Sequence, residues 1–172
     1  MKKLLVVIPF TLVFVVSSNS QITSIYTDLA EKKCRTIEST SDEGGSYRGI
    51  CPGVAGYSLE VTEGDLRQTL NVITPNKKKH ELNLSNVSGA FSNLGPRAEW
   101  RMNGKTPTAL IFRFNANENP EDSSEITSYL VVAKITKNDV CVTDVISPGS
   151  LQNTEARRFA NNVASKPCKF SN

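Results

Sequence analysis

Histidine is almost missing: His80 is the only one in 172 residues. That scarcity removes most routes to nucleophilic catalysis, because a serine or cysteine nucleophile needs a base beside it. No GxSxG elbow is present either, so a Ser-His-Asp arrangement through His80 is the one form of that chemistry left open. The four cysteines contain no CxxC pair and His80 lies far from them in the chain, so no zinc site is expected. There is no GxGxxG pattern and no glycine loop ending in lysine and Ser or Thr, which argues against a bound nucleotide. No cofactor is expected. Internal repeats, low-complexity tracts and linkers are also lacking.

Long apolar runs are confined to the start. Lys2 and Lys3 precede an apolar run from Leu4 to Val16, which gives way to Ser17, Ser18, Asn19 and Ser20. This is the layout of a secretory signal peptide. Thirteen helical residues reach about 20 Å against a hydrocarbon core of roughly 30 Å, so cleavage is expected rather than a membrane anchor. A cut after Ser20 puts Ser18 and Ser20 at minus three and minus one; a cut after Ser18 is the close alternative. No cysteine follows at the position of a bacterial lipid anchor. The expected organisation is a signal peptide over 1–20 and one domain over 21–172, with no membrane span after cleavage. The net charge of +3 falls to about +1 once Lys2 and Lys3 are gone. With so little charge and no aromatic residues among Lys77, Lys78 and Lys79, nucleic acid is not an expected partner.

Cys34, Cys51, Cys141 and Cys168 all follow the signal and suit an oxidising destination, periplasmic or secreted. Of three possible pairings, Cys34 with Cys51 and Cys141 with Cys168 is preferred because both close local loops. Each would stabilise by on the order of 3 to 4 kcal/mol in the chain-entropy model.

Strand signals dominate the remainder. CRTIES, SYRGIC, YSLEVTE, LRQTLNVI, AEWRM, TALIFRFN, ITSYLVVAKI and VCVTDV are short runs rich in β-branched or aromatic residues, with turn residues between them. HELNL is a possible partner strand, SGAFSNLGP reads as a loop, and YTDLAEKKC suggests a helical turn capped by Thr27 or Asp28. In SLQNTEARRFANNVAS, apolar residues recur at three- and four-residue spacing from Leu151 to Ala164, which predicts a helix capped by Asn153 or Thr154. The expected fold is α+β: a mainly antiparallel meander sheet, one C-terminal helix and two disulfides.

Several motifs invite a functional reading. EGGSYRGICPG, from Glu43 to Gly53, is glycine-rich, but without a lysine it reads as a hairpin turn that brings Cys34 and Cys51 together. Glu60, Glu63 and Asp65 lie close in sequence, as a glycosidase pair would, yet Glu63 and Asp65 flank a turn glycine. NANENPEDSSE, from Asn115 to Glu125, has the composition of a calcium loop, but Pro120 stands where the sharp turn needs glycine and Ile126 where a bidentate Glu is required. His80 reads as part of a solvated hairpin beside the lysines. In AEWRM, alternation puts Trp100 in the core and Glu99 and Arg101 on the outer side. The rival reading has Glu99, Arg101, Arg113 and Arg67 lining a polar face that grips an anionic ligand, for which arginine forks are suited.

DEGGSYRGICPG, VTEGDLR, FSNLGPRAEWRM and the helix EARRFANNVA leading to a cysteine together resemble a group of small exported bacterial proteins, mostly from alphaproteobacteria. The resemblance runs from about Tyr26 to Cys168. It implies an exported, periplasmic protein with the local cysteine pairing, and it carries over no catalytic or binding residue. Two functions follow as expectations. The first is a non-enzymatic binding or inhibitor-like module for an envelope protein or glycan; the second is a small periplasmic hydrolase using Glu63, Asp65 or Glu99.

Overall fold

The computed structural model describes residues 21–41, 45–119, 121–137 and 139–170. The expected signal peptide, residues 42–44 of the stretch read as a hairpin turn, and Pro120 lie outside the described residues.

Inward-facing residues at every second position build the sheet. In β8 (Thr106–Asn117), Leu110, Phe112, Phe114 and Ala116 face one core, which Val131, Ala133 and Ile135 of β9 (Thr127–Ile135) and Val140 and Val142 of β10 (Val140–Ile146) extend. Leu59 and Val61 of β4 (Ser58–Gly64) and Leu70 and Val72 of β5 (Arg67–Ile73) enter the same core from the other half. Trp100 of β7 (Phe91–Asn103) is fully buried among them, with its indole N–H donating to Thr27 at 2.9 Å.

The strands form two antiparallel meanders. β2 (Arg35–Thr40), β3 (Ser46–Pro52), β4 and β5 make one; β7, β8, β9 and β10 make the other. A single parallel bridge, Arg67 beside Ser92, joins them. β1 (Ile22–Asp28) pairs with β7, β6 (Lys79–Glu81) pairs with β5, and β6 also lies against β10, so the sheet curls back around its core. Helix α1 (Gln152–Ala160) covers the outer face of β8 and β9, where Ala109, Ile111, Leu130 and Val132 meet Ala156 and Ala160. The near-continuous apolar run in β9 follows from this: both of its faces are buried.

The expected α+β class, with its antiparallel sheet, one helix near the C-terminus and two disulfides, is the observed one. Cys34–Cys51 ties the approach to β2 onto β3, and Cys141–Cys168 ties β10 to the tail, where the Lys169 N–H donates to the Val142 carbonyl at 2.7 Å. No helix among the described residues is long and apolar enough to cross a membrane.

Local readings differ in four places. In YTDLAEKKC the first three residues, Tyr26 to Asp28, end β1, because β7 offers them a backbone partner; the expected helical turn is a 3-10 turn, Glu31–Lys33, and neither Thr27 nor Asp28 caps it. SGAFSNLGP is largely strand: β7 runs through Gly95 and Pro96 with a register shift between Leu94 and Ala98. Gly95 is required there, since a Cβ would stand 2.7 Å from Cβ of Arg113. α1 begins at Gln152 with Leu151 in the cap position and no side-chain cap, so Asn153 and Thr154 lie inside it. HELNL contributes strand only at its start, as the last residues of β6.

Candidate functional site

The charged side of AEWRM is closed. Glu99 and Arg101 point away from the core, as alternation requires, but α1 and β1 cover them and leave each under a tenth exposed. Arg157 of α1 forks onto Glu99, with Nε 2.9 Å from Oε1 and Nη2 3.1 Å from Oε2. Ser24 of β1 donates to Glu99 at 2.6 Å, and Arg101 lies 3.2 Å away. Arg101 in turn donates to Oδ1 of Asn161, beyond the end of the helix, at 2.9 and 3.1 Å. Burial alone would raise the Glu99 carboxyl; hydrogen bonds and charge from Arg157, Ser24 and Tyr26 outweigh it and hold the pKa below the ordinary range. With its lone pairs filled in this way, Glu99 is the anchor of a joint between β1, β7 and α1. The expectation that the pair lies on the solvent side is corrected by the helix seated on it.

The four residues read as a possible anion grip do not converge. Glu99 and Arg101 share the joint. Arg113 lies nearby and donates to Ser128 at 2.8 Å and to Gln152 at 3.2 Å. Glu99 and Arg113 do line one small cleft of about 210 Å³, together with Tyr26, Arg97 and Asn153. Arg67 stands apart at the turn between β4 and β5, where it pairs with Asp65, donates to the Gly89 carbonyl at 2.9 Å and stacks on Phe91 at 4.8 Å.

A cavity of about 410 Å³ forms a polar groove on the other half of the molecule. β4 and β5 supply the paired Thr62 and Thr69. β6 supplies Glu81, the segment leading into β7 supplies Ser85 and the start of β7 supplies Ser92, with the buried Phe114 reaching the groove from the core. The four hydroxyls and the Glu81 carboxylate have no side-chain partner among the described residues. Arg67 and Lys79 add two cations at its wall. Beside the groove, Glu60 is only 4% exposed and accepts from Asn71 at 2.9 Å, with Lys79 at 3.2 Å and Arg48 at 3.8 Å. Burial pushes Glu60 up, but Asn71, Lys79 and Arg48 prevail and its pKa is lowered. A carboxylate held ionised in this way is a poor general acid.

The remaining motifs serve structure. Glu63 accepts from Gln68 at 2.6 Å, and Asp65 is bound to Arg67 at the exposed turn, so neither meets Glu99 beneath the helix. His80 is buried rather than solvated: β6 pairs it opposite Val72, and its Nδ1 lies 3.9 Å from Asp139. Asp139, Cys141 and Cys168 bring donor atoms within 4.8 Å of one another, but both sulfurs are used in the disulfide, which leaves a single carboxylate. In the NANENPEDSSE segment, Asn119 donates to Glu125 and Ser124 to Asp122. Of the residues lining the groove, only Arg67 is among the ligand-binding candidates from sequence; the four hydroxyls and Glu81 are not. Their only signal is the facing pair Thr62 and Thr69 on one strand face, and scattered serines in a turn segment carry none.

Fold and site together define a disulfide-stapled antiparallel sheet with one helix latched to its outer face and an open polar groove on its other half. Set against family models, curated proteins and solved structures, the chain matches none of them.

Proposed function

We propose that this is an exported, periplasmic binding module without catalytic activity, of the alphaproteobacterial group its motifs resemble, and that its groove takes a hydroxyl-rich envelope glycan. The observation that carries the reading is the groove: four hydroxyls and one carboxylate without side-chain partners face the same 410 Å³ space, with Arg67 and Lys79 beside them. Hydroxyls satisfy a polyol ligand by donating and accepting at once, and the unpartnered Glu81 carboxylate can accept from a ligand hydroxyl; Arg67 and Lys79 are already paired with Asp65 and Glu60. Export is supported by the two disulfides, which an oxidising compartment maintains. The hydrolase alternative has less support, since the buried carboxylates Glu60 and Glu99 are both held ionised by fixed partners.

Pelleting with isolated peptidoglycan sacculi tests the proposal. The mature protein should sediment with them, and a Thr69→Val, Ser92→Ala, Glu81→Gln triple variant should lose most of that binding. Sedimentation no better than an unrelated disulfide-bonded protein, or unchanged in the triple variant, would overturn the reading. Release of soluble glycan fragments would favour the hydrolase instead.

A further inference from the structure

Beyond the groove, one end of the molecule carries an apolar cluster that the fold leaves uncovered. Leu66, Phe91 and Ile126 are 55%, 48% and 45% exposed, and all three line one depression of about 260 Å³. They come from three separate places: the turn between β4 and β5, the start of β7 and the residue before β9. Scattered exposed apolar residues are ordinary, but three converging on one concavity are not.

Two further features of this end have no explanation within the free molecule. Asp65 and Leu66 form a two-residue turn with φ of +50° and +57°, a conformation that Asn-Gly adopts most readily. Leucine is a poor choice at such a position, and here it gains no burial in return. Asn117, which sits opposite Phe91 in the ladder and lines the same depression, has a buried Oδ1 with no hydrogen-bond donor.

The charge around the cluster has one sign. Glu118 shares an adjoining cavity of about 320 Å³ with Phe91 and Asn117, and Glu121, Asp122 and Glu125 follow it in the same loop. None of these carboxylates has a cationic partner among the described residues. The nearby cation, Arg67, is neutralised by Asp65 and lies flat against Phe91. A second copy of this chain would bring acid against acid.

We infer that this end docks a segment of another protein that is both basic and apolar. Its aliphatic side chains cover Leu66, Phe91 and Ile126, and a Lys or Arg meets Glu118. The groove and this surface meet at Arg67 and Ser92, so the two can be separated by changing Leu66 and Phe91 alone.

The test is an NMR titration of the disulfide-intact mature protein with two synthetic ten-residue peptides, one alternating Lys and Leu, the other Glu and Leu. The basic peptide should shift the amides of Leu66, Phe91, Asn117 and Ile126 saturably, and the acidic one should bind at least tenfold more weakly. A Leu66→Asn, Phe91→Ser variant should bind the basic peptide at least tenfold more weakly while still sedimenting with sacculi, and Glu118→Gln should weaken it about threefold. Should the double variant lose its dispersed spectrum, Leu66→Asn alone, with a residue that suits the turn, carries the same comparison. Equal binding of both peptides, unchanged affinity in the variants, or shifts confined to other surfaces would overturn the inference. So would concentration-dependent dimerisation that Phe91→Ser abolishes, because the occupant would then be a second copy.

Discussion

Glu99 and Glu60 are the two buried glutamates among the described residues, one on the outer face of each meander, and the fold treats them differently. Both are less than a tenth exposed, and both carboxyls are held below their ordinary range. Glu99 is held by an arginine that arrives on a helix, together with a strand serine and a second, buried arginine. Glu60 is held by Asn71 and by two long side chains, Lys79 and Arg48, that are 47% and 44% exposed. The first arrangement joins elements; the second leaves its half of the sheet uncovered. A buried carboxylate is therefore no guide to function by itself. What distinguishes the halves is whether something sits on the outer face, and the uncovered half is where the groove lies.

The disulfides give the largest expected effects and the sharpest form of the comparison, because each staples one half. Replacing either pair by alanine should lower stability by about 3 to 4 kcal/mol in chemical denaturation. Cys141–Cys168 encloses α1 and so should couple to the Glu99 joint, whereas Cys34–Cys51 should not. Combined with Glu99→Gln, loss of Cys141–Cys168 should be non-additive and loss of Cys34–Cys51 additive. Additivity in both cases would remove the helix from the explanation.

Glu99→Gln alone should cost about 3 kcal/mol, the lower end for breaking a buried pair, because Arg157 is 46% exposed and partly recovers its hydration. Glu60→Gln should cost only about 1 kcal/mol, since its two cations can return to water. The pH dependence has the same order. Both folded pKa values lie below the ordinary 4.5, so the unfolded chain binds protons first as the solution is acidified. The stabilisation is complete above about pH 4.5 and is lost as pH falls through the folded values. Glu99→Gln should flatten that acid limb more than Glu60→Gln does; equal flattening would mean that the helix adds nothing to the carboxylate.

Much of this architecture was legible in the sequence because it depends on neighbours in the chain. Alternation placed Trp100 inside and Glu99 outside, local loop closure paired the cysteines, and the three- and four-residue spacing found the helix. What was not legible depends on distant partners. Nothing in AEWRM says that Arg157 and Asn161, some sixty residues later, will be set down on Glu99 and Arg101. The strand character of ITSIYTD is likewise conferred by β7, and the groove assembles single hydroxyls from separate segments. The burial of His80 belongs to the same class, for it comes from the closing of the two halves against each other.

That seam supplies the smallest expected effect. His80 stands on β6, where the uncovered half meets β10, and the charged groups near it are Lys78 and Asp139. Burial and Lys78 lower its pKa, and Asp139 offsets them only in part. The unfolded chain thus takes up this proton near pH 6.5 while the folded chain refuses it, so stability should be level above that pH and fall below it until the folded value is reached. Urea midpoints at pH 7.5 and 5.5 bracket this window and stay above the one in which Glu99 and Glu60 titrate. The wild-type midpoint should be lower at pH 5.5, and His80→Gln should bring the two midpoints together even if it lowers both. A wild-type midpoint that rises on acidification would mean that Asp139 governs His80 as a partner. In that case the seam would be a charged contact like the Glu99 joint, and the contrast between a latched half and an open one would no longer hold.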